Sequence, residues 1–196
     1  MVELTYILNF AIKPDIMIEK MKEHNRKFVE NGEYEKFQAS KYPAKTVAIV
    51  TCMDTRLVEL LPAALGVKNG DVIMIKNASG LVVDPYSDSM RSILISVYEL
   101  GVEEVMVIAH TTCGVEGLKP EHLYHLMEKR GIGRDAIETL KSQGKDLDNW
   151  FTGFDDLHPA VRESVEVVKK HPLLPKEIEV KGYIMDTATG ALEEVD

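Results

Sequence analysis

The sequence predicts an α/β domain in three layers, with a mainly parallel central β-sheet of about four strands plus an edge strand, flanked by helices. Two observations predict it. Short, unbroken apolar stretches rich in β-branched residues recur along the chain, and longer segments with a helical spacing of apolar residues separate them. Strands that are apolar on both faces are typical of parallel sheets, which helices cover on both sides.

The predicted strands follow one another in this order. KTVAIVT is apolar and largely β-branched, and DVIMI comes after the turn KNGD. EEVMVIA is a third buried strand, EIEVKGYIMD alternates in part and is a fourth, and ALEEV returns after the turn DTATG as the edge strand. These segments occupy residues 45–51, 71–75, 103–109, 177–186 and 191–195.

The helices between them are predicted from apolar residues at intervals of three and four. Pro14 suits the first turn of the first helix, and Gly66 and Gly101 lie at the ends of the second and third. The fourth segment is irregular, with breaks at its glycines. The predicted helical segments are residues 14–30, 57–66, 86–101, 120–150 and 158–170, of which residues 57–66 form a short helix or a turn.

Composition and charge narrow the class of partner. The chain has 196 residues, 45% of them hydrophobic, which is enough for one compact domain. Its net charge of -9 argues against nucleic acid or an anionic membrane as the main partner, because both need a basic face. Residues 4–12 are apolar, but they are too few for a membrane span and follow no basic region, so we expect a cytoplasmic protein.

Reactive side chains follow two of the predicted strands at the point where each strand ends. Cys52, Asp54 and Arg56 come after the first strand, in IVTCMDTR, and His110 and Cys113 come after the third, in VIAHTTCG. The carboxyl ends of parallel strands meet at one edge of a sheet, where α/β proteins form their sites. We therefore expect these five side chains to lie together.

Two thiolates and one imidazole are ligands that suit Zn²⁺. Structural zinc sites use four protein ligands, but Cys52 and Cys113 are the two cysteines of the whole chain, and with His110 they leave a fourth position open, as in catalytic sites. The competing interpretation is that Cys52 is a core residue, His110 a loop residue and the spacing chance. Two motifs, each directly after a buried strand, favour zinc.

Asp54 and Arg56 acquire a role beside such a metal. Arg56 can hold the Asp54 carboxylate through two hydrogen bonds and keep it ionised. The carboxylate can then accept a hydrogen bond from zinc-bound water and orient it toward substrate, or it can swing in as a fourth ligand. The sequence leaves both states open.

The motif Cys-x-Asp-x-Arg, followed by His-x-x-Cys with strands and helices between them, resembles the β-class carbonic anhydrases, and in particular their short bacterial and archaeal branch. The resemblance runs from Lys41 to Gly117 and resumes over residues 161–195, where this family has its terminal helix, strand and turn. It implies zinc-dependent, reversible hydration of carbon dioxide to bicarbonate and a proton, by attack of zinc-bound hydroxide.

Carried over by position, the resemblance also assigns the site residues. It implies that Cys52, His110 and Cys113 bind the zinc and that Asp54 and Arg56 form the catalytic dyad. It further implies a homodimer or a higher homo-oligomer with the site near the subunit interface.

The domain organisation is predicted to be simple. We expect one domain over residues 1–196, with residues 1–35 as an N-terminal helical arm that packs on a partner subunit. The apolar residues 6–12 need a surface on which to be buried, and a partner subunit would supply it.

Backbone groups after the second strand are the predicted contacts for substrate. Asn77, Ala78 and Ser79, together with Gly114, are the residues in question. A plain turn explains the same residues 77–80 nearly as well.

Other functions remain open on the sequence alone. The same scaffold and ligands would serve a zinc hydrolase of another heterocumulene, carbon disulfide or carbonyl sulfide. A non-catalytic zinc-binding domain would not need Asp54 or Arg56. A redox protein with a disulfide between Cys52 and Cys113 would not need His110.

Overall fold

The computed structural model describes residues 14–196, with side chains from residue 17 onward. The chain divides into two compact units between Ala39 and Ser40. The apolar segment over residues 4–12 lies outside the described residues, so its packing on a partner stays a prediction. Within the described part of the chain, no helix is both long and apolar enough to cross a membrane.

Over its described residues, 14–39, the unit before Ser40 contains one long helix and one short helix. Helix α1 spans Pro14–Glu30, as the sequence predicts, and a 3₁₀ helix over Glu33–Phe37 follows it. Apolar side chains on α1 recur at helical spacing, yet they are exposed to solvent in the single chain. These exposed residues are Met17, Ile18, Met21 and Val29.

The unit that begins at Ser40 is built on one five-stranded sheet. Its strands are β1 (Val47–Cys52), β2 (Ile73–Asn77), β3 (Glu104–His110), β4 (Glu179–Met185) and β5 (Leu192–Val195). The spatial order is β2-β1-β3-β4-β5. The first four strands are parallel, and β5 runs antiparallel to β4 at the edge. The predicted sheet of four parallel strands with an edge strand is confirmed.

Helices follow the strands as predicted, and the irregular segment resolves into three short ones. The helices of this unit are α2 (Leu57–Leu65), α3 (Asp88–Leu100), α4 (Pro120–Lys129), α5 (Arg134–Ser142), α6 (Leu147–Phe151) and α7 (Leu157–Lys169). The irregular segment forms α4, α5 and α6. The breaks fall near Gly131 and at Gly144, both of which have positive φ.

Two apolar cores lie on opposite faces of the sheet and make the fold three-layered. On β1, Ala48 and Val50 pack into the core that includes residues of α3 and α7. Ile49 packs into the other core, with Leu57 and Leu61 of α2. Both leucines are fully buried, and each contributes roughly 1.5–3 kcal/mol relative to an exposed side chain. These helices therefore hold β1 between two packed layers.

Strand β2 begins two residues later than the sequence predicts. The carbonyl oxygens of Gly70 and Asp71 accept hydrogen bonds from Ala44 and Lys45, at 3.0 and 2.9 Å, before the ladder begins. At its other end β2 continues to Asn77, which pairs with Cys52. The partner strand, not the local apolar pattern, therefore sets both ends of β2.

Candidate metal centre

The ends of β1 and β3 bring two of the predicted site residues together. The two strands are neighbours, with Thr51 paired to Ile108, so Cys52 and His110 emerge side by side. The turn after β3 returns Cys113 to the same point. The two sulfur atoms and a ring nitrogen of His110 all lie within 4.8 Å of one another. The sulfur atoms are 4.0 Å apart, and all three side chains are buried.

The His110 ring is oriented by its own loop. Its Nδ1–H donates to the carbonyl oxygen of Thr111 at 2.9 Å. That bond places the proton on Nδ1 and leaves a lone pair on Nε2. The ring is fully buried, and Nε2 has no hydrogen-bond partner. Leaving a buried polar atom without a partner costs free energy, and a ligand that binds this nitrogen would remove that cost.

The chemistry of these three donors fits Zn²⁺. Burial, with a smaller contribution from the neighbouring Cys52, raises the pKa of the Cys113 thiol to about 11. Without a cation the Cys113 thiol would therefore favour its protonated form. Zinc binds thiolates, so its binding would displace the thiol protons and give Nε2 of His110 the partner it lacks.

Asp54 and Arg56 form a closely bonded pair beside the three donors. Nε and Nη2 of Arg56 donate to the two carboxylate oxygens of Asp54, at 2.9 and 2.7 Å, and the backbone N–H of Arg56 donates to Oδ1 at 2.9 Å. The guanidinium holds the pKa of Asp54 well below its usual range. Oδ2 of Asp54 lies 3.9 Å from Nε2 of His110. An ionised carboxylate is therefore fixed next to the candidate ligands.

Three of the predicted substrate contacts, Asn77, Ala78 and Ser79, lie at the end of β2 and in the loop after it, whereas Gly114 is exposed and follows Cys113 in the loop after β3. The amide of Asn77 donates to the carbonyl oxygen of Leu81 at 2.7 Å and to the hydroxyl of Ser89 at 2.8 Å, and its oxygen accepts from the Gly80 N–H at 2.8 Å. The hydrogen bonds of the Asn77 side chain thus stabilise the conformation of the loop after β2. Contact between Asn77, Ala78, Ser79 or Gly114 and a substrate stays a prediction.

Gly80 allows the loop after β2 to pack closely against β1 and β3, the strands that carry Cys52 and His110. Its φ is +76°, and a Cβ there would lie 2.6 Å from the backbone nitrogen of Cys52 and 2.9 Å from the carbonyl oxygen of Ile108. A side chain would therefore displace the ends of β1 and β3.

Two threonines at the site were not identified from the sequence. Thr112 accepts hydrogen bonds from Arg56 at its hydroxyl and at its carbonyl oxygen, and Thr187 lies against the same guanidinium. Thr112 stands inside the His-x-x-Cys motif, which is a usable signal. Thr187 stands in the turn DTATG, and nothing in the local sequence connects it with Arg56.

Comparison with known proteins assigns this architecture to a family. The family model described as carbonic anhydrase matches residues 47–192. The β-carbonic anhydrase isoform I of Trichomonas vaginalis is 35% identical in sequence, with a TM-score of 0.80 over 91% of this chain and 96% of that one. The chain belongs to the β-carbonic anhydrase family. The resemblance noted from the two motifs is thereby confirmed.

Relatives within and around the β-carbonic anhydrase family carry two kinds of name. YtiB of Bacillus subtilis (strain 168), provisionally named a carbonic anhydrase, is 48% identical over 171 residues, which cover 87% of this chain and 91% of that protein. The carbon disulfide hydrolase of Acidithiobacillus thiooxidans is 31% identical over 156 residues, 74% of each chain.

Proposed function

We propose that the protein holds one Zn²⁺ through Cys52, His110 and Cys113 and catalyses the reversible hydration of carbon dioxide to bicarbonate and a proton. One observation carries the proposal: three buried soft donors converge within 4.8 Å, beside an ionised carboxylate. The family assignment supports the enzyme class of carbonate dehydratase, a lyase. Zinc, when bound, supplies the Lewis acidity that makes water a nucleophile near neutral pH.

The residues around the donors have separate tasks in this proposal. The hydrogen bond from Nδ1 to the Thr111 carbonyl oxygen keeps the His110 proton on Nδ1 and leaves Nε2 to bind the metal. Asp54 offers a free lone pair on Oδ2 that can accept a hydrogen bond from the attacking water and so set its orientation. Arg56 keeps that carboxylate ionised and aimed at the site.

The side chains at the site also help to choose between carbon dioxide hydration and the two other functions, a non-catalytic zinc-binding domain and a carbon disulfide hydrolase. An Asp-Arg pair in contact with the candidate ligands favours catalysis over a non-catalytic zinc-binding domain, which needs only the ligands. Hydrolysis of carbon disulfide is the second candidate, because the relative from Acidithiobacillus thiooxidans carries that name at 31% identity. Both substrates are small, linear and uncharged, so the same donors would serve either one.

An assay of two substrates separates these functions. Zinc-loaded protein is expected to hydrate carbon dioxide in a stopped-flow pH-indicator assay, and to release little hydrogen sulfide from carbon disulfide. Asp54→Ala is the control for activity that arises at the site, and it should retain zinc. If carbon disulfide is turned over faster than carbon dioxide, the result supports carbon disulfide hydrolysis as the function. If the zinc-loaded protein acts on neither substrate, the proposal that it is an enzyme of this kind is wrong.

We further propose that the protein is a homodimer or higher homo-oligomer, with residues 1–35 as an arm on a partner. The division of the chain between Ala39 and Ser40 and the exposed apolar face of α1 support this proposal. We also propose a cytoplasmic location. The two thiols must stay reduced to bind zinc, and the cytoplasm keeps thiols reduced.

Light scattering tests the assembly at micromolar concentration. The parent is expected to have at least twice the mass of one chain, and Ile18→Glu with Met21→Glu is expected to shift it toward the monomer, because charge is then placed on the apolar face of α1. Lys20→Glu, an exposed charge reversal on the same helix, is the matched control. A monomeric parent would contradict the proposal.

A further inference from the structure

Every N–H group of the Arg56 guanidinium is matched by an acceptor. Nε and Nη2 bind the Asp54 carboxylate, and Nη2 also donates to the carbonyl oxygen of Thr112 at 3.0 Å. Nη1 donates to the hydroxyls of Thr112 and Thr187, at 2.8 and 3.4 Å. A guanidinium carries five donors in one plane, so this set of five contacts defines a single orientation.

Thr112 supplies two of these acceptors from an unusual backbone conformation. Its φ is 55°, in the left-handed region that β-branched residues rarely adopt. Strained conformations persist only where the surroundings hold them, and they concentrate at functional sites. Here the strained residue lies between the two candidate ligands of the His-x-x-Cys loop and turns both of its oxygens to Arg56.

Thr187 reaches Arg56 from the opposite end of the chain. It follows β4, whose last residue, Met185, pairs with His110 at the end of β3. The backbone N–H of Thr187 donates to the hydroxyl of Thr111 at 3.1 Å, and the two hydroxyls lie 3.3 Å apart. The turn after β4 is therefore fastened to the loop that carries His110 and Cys113.

We propose that Thr112 and Thr187 are positioning residues that hold the Arg56 guanidinium and, through it, keep the Asp54 carboxylate beside the metal site. The side chain of Arg56 is 45% exposed, and an exposed ion pair alone is weak and mobile in water. Two hydroxyls and one carbonyl oxygen on the far side of the guanidinium give it fixed partners. The catalytic consequence rests on the proposed function, whereas the order of Arg56 does not.

The test replaces each hydroxyl by a methyl group of the same shape. Thr112→Val and Thr187→Val keep the β-branch, and Thr112→Ser and Thr187→Ser restore the hydroxyl. The valine double variant should keep its zinc and its KM and lose roughly tenfold in kcat, within the range for partners that orient a metal site. The serine variants should recover most of kcat. Thr139→Val, on α5, is the matched control, because its hydroxyl bonds only within its own helix.

A nuclear magnetic resonance measurement separates this inference from the proposed function. In the parent, restricted rotation should give resolved Nη signals for Arg56, assigned by their loss in Arg56→Lys, and in the valine double variant these signals should average. This result supports positioning even if the parent turns over neither substrate. Unchanged Arg56 signals in the double variant would overturn the inference, as would a loss of kcat that serine does not restore or that accompanies loss of zinc.

Discussion

Replacing Cys52 by serine is expected to remove zinc from the protein and, with it, essentially all activity. Cys52 is one of three buried donors within 4.8 Å, and serine offers no soft ligand at its place. Loss of a residue that only supports a ligand costs roughly 10- to 100-fold in metal affinity, so loss of a ligand should cost more. Elemental analysis after gel filtration, with competition against a chelator, measures the change.

A neighbouring residue provides a matched control for this substitution. Thr51 precedes Cys52 on β1, is fully buried, and its hydroxyl has no hydrogen-bond partner. Thr51→Val should therefore keep the fold, the zinc and the activity, since it removes a hydroxyl that bonds to nothing. A Cys52→Ser protein with one zinc per chain would contradict the assignment of the ligands.

Removing either member of the Asp54–Arg56 pair is expected to cost roughly 10- to 100-fold in rate at neutral pH while zinc is retained. The two variants should differ in their dependence on pH. Without Arg56 the carboxylate of Asp54, 3.9 Å from Nε2 of His110, would be free to turn, and with zinc bound it could take the position that the three ligands leave open. Hydroxide competes for that position as pH rises, so Arg56→Ala should recover part of its rate toward about pH 9.

Asp54→Ala has no carboxylate to compete, so its rate relative to that of the parent should stay equally low across the range. Kinetics of the parent and both variants between about pH 6 and about pH 9 would distinguish the two behaviours. Arg56→Lys, which keeps the charge and loses the paired hydrogen bonds, is the control for simple charge. The parent itself should gain rate over this range. A flat profile for the parent, or an Arg56→Ala protein as active as the parent, would show that this account is wrong.

Protonation of Asp54 does not explain any change of rate in that range. Hydrogen bonds from Arg56 lower the pKa of the carboxyl in the folded state far below its ordinary value. The stability that the ionised group contributes is therefore fully present at neutral pH. It is lost progressively as pH falls from the ordinary pKa of an aspartic acid through the lowered one, in acid.

Much of the fold follows from the sequence because the signals are local. Pro14 and Gly101 define helix ends by their own backbone preferences, and the unbroken apolar stretch at β1 requires burial on both faces. The ends of β2 do not follow from such signals. Asn77 belongs to a strand only because Cys52 extends far enough to pair with it.

Part of the candidate site can likewise be predicted from the sequence, and part of it cannot. Cys52 and His110 meet because each ends a strand and the two strands are neighbours, which the α/β pattern implies. The contact between Arg56 and Thr187 joins residues 131 positions apart and depends on the path of one turn and on side-chain rotamers. The predicted contact between backbone groups of Asn77 and a substrate stays a prediction, and the sequence does not show that the Asn77 side chain is engaged within its own loop.

The separation of the candidate ligands along the chain links metal supply to the amount of folded protein. Cys52 and Cys113 are 61 positions apart, and closing so long a loop in the unfolded chain carries an entropic cost. The chelate therefore exists only when β1 and β3 are paired. Under the zinc proposal, free zinc at about 100 times its dissociation constant would add about 2.7 kcal/mol to the free energy of unfolding. Under the same proposal, a cell short of zinc would hold less of the folded protein as well as less activity, because changes of about 1–2 kcal/mol in stability alter abundance several-fold.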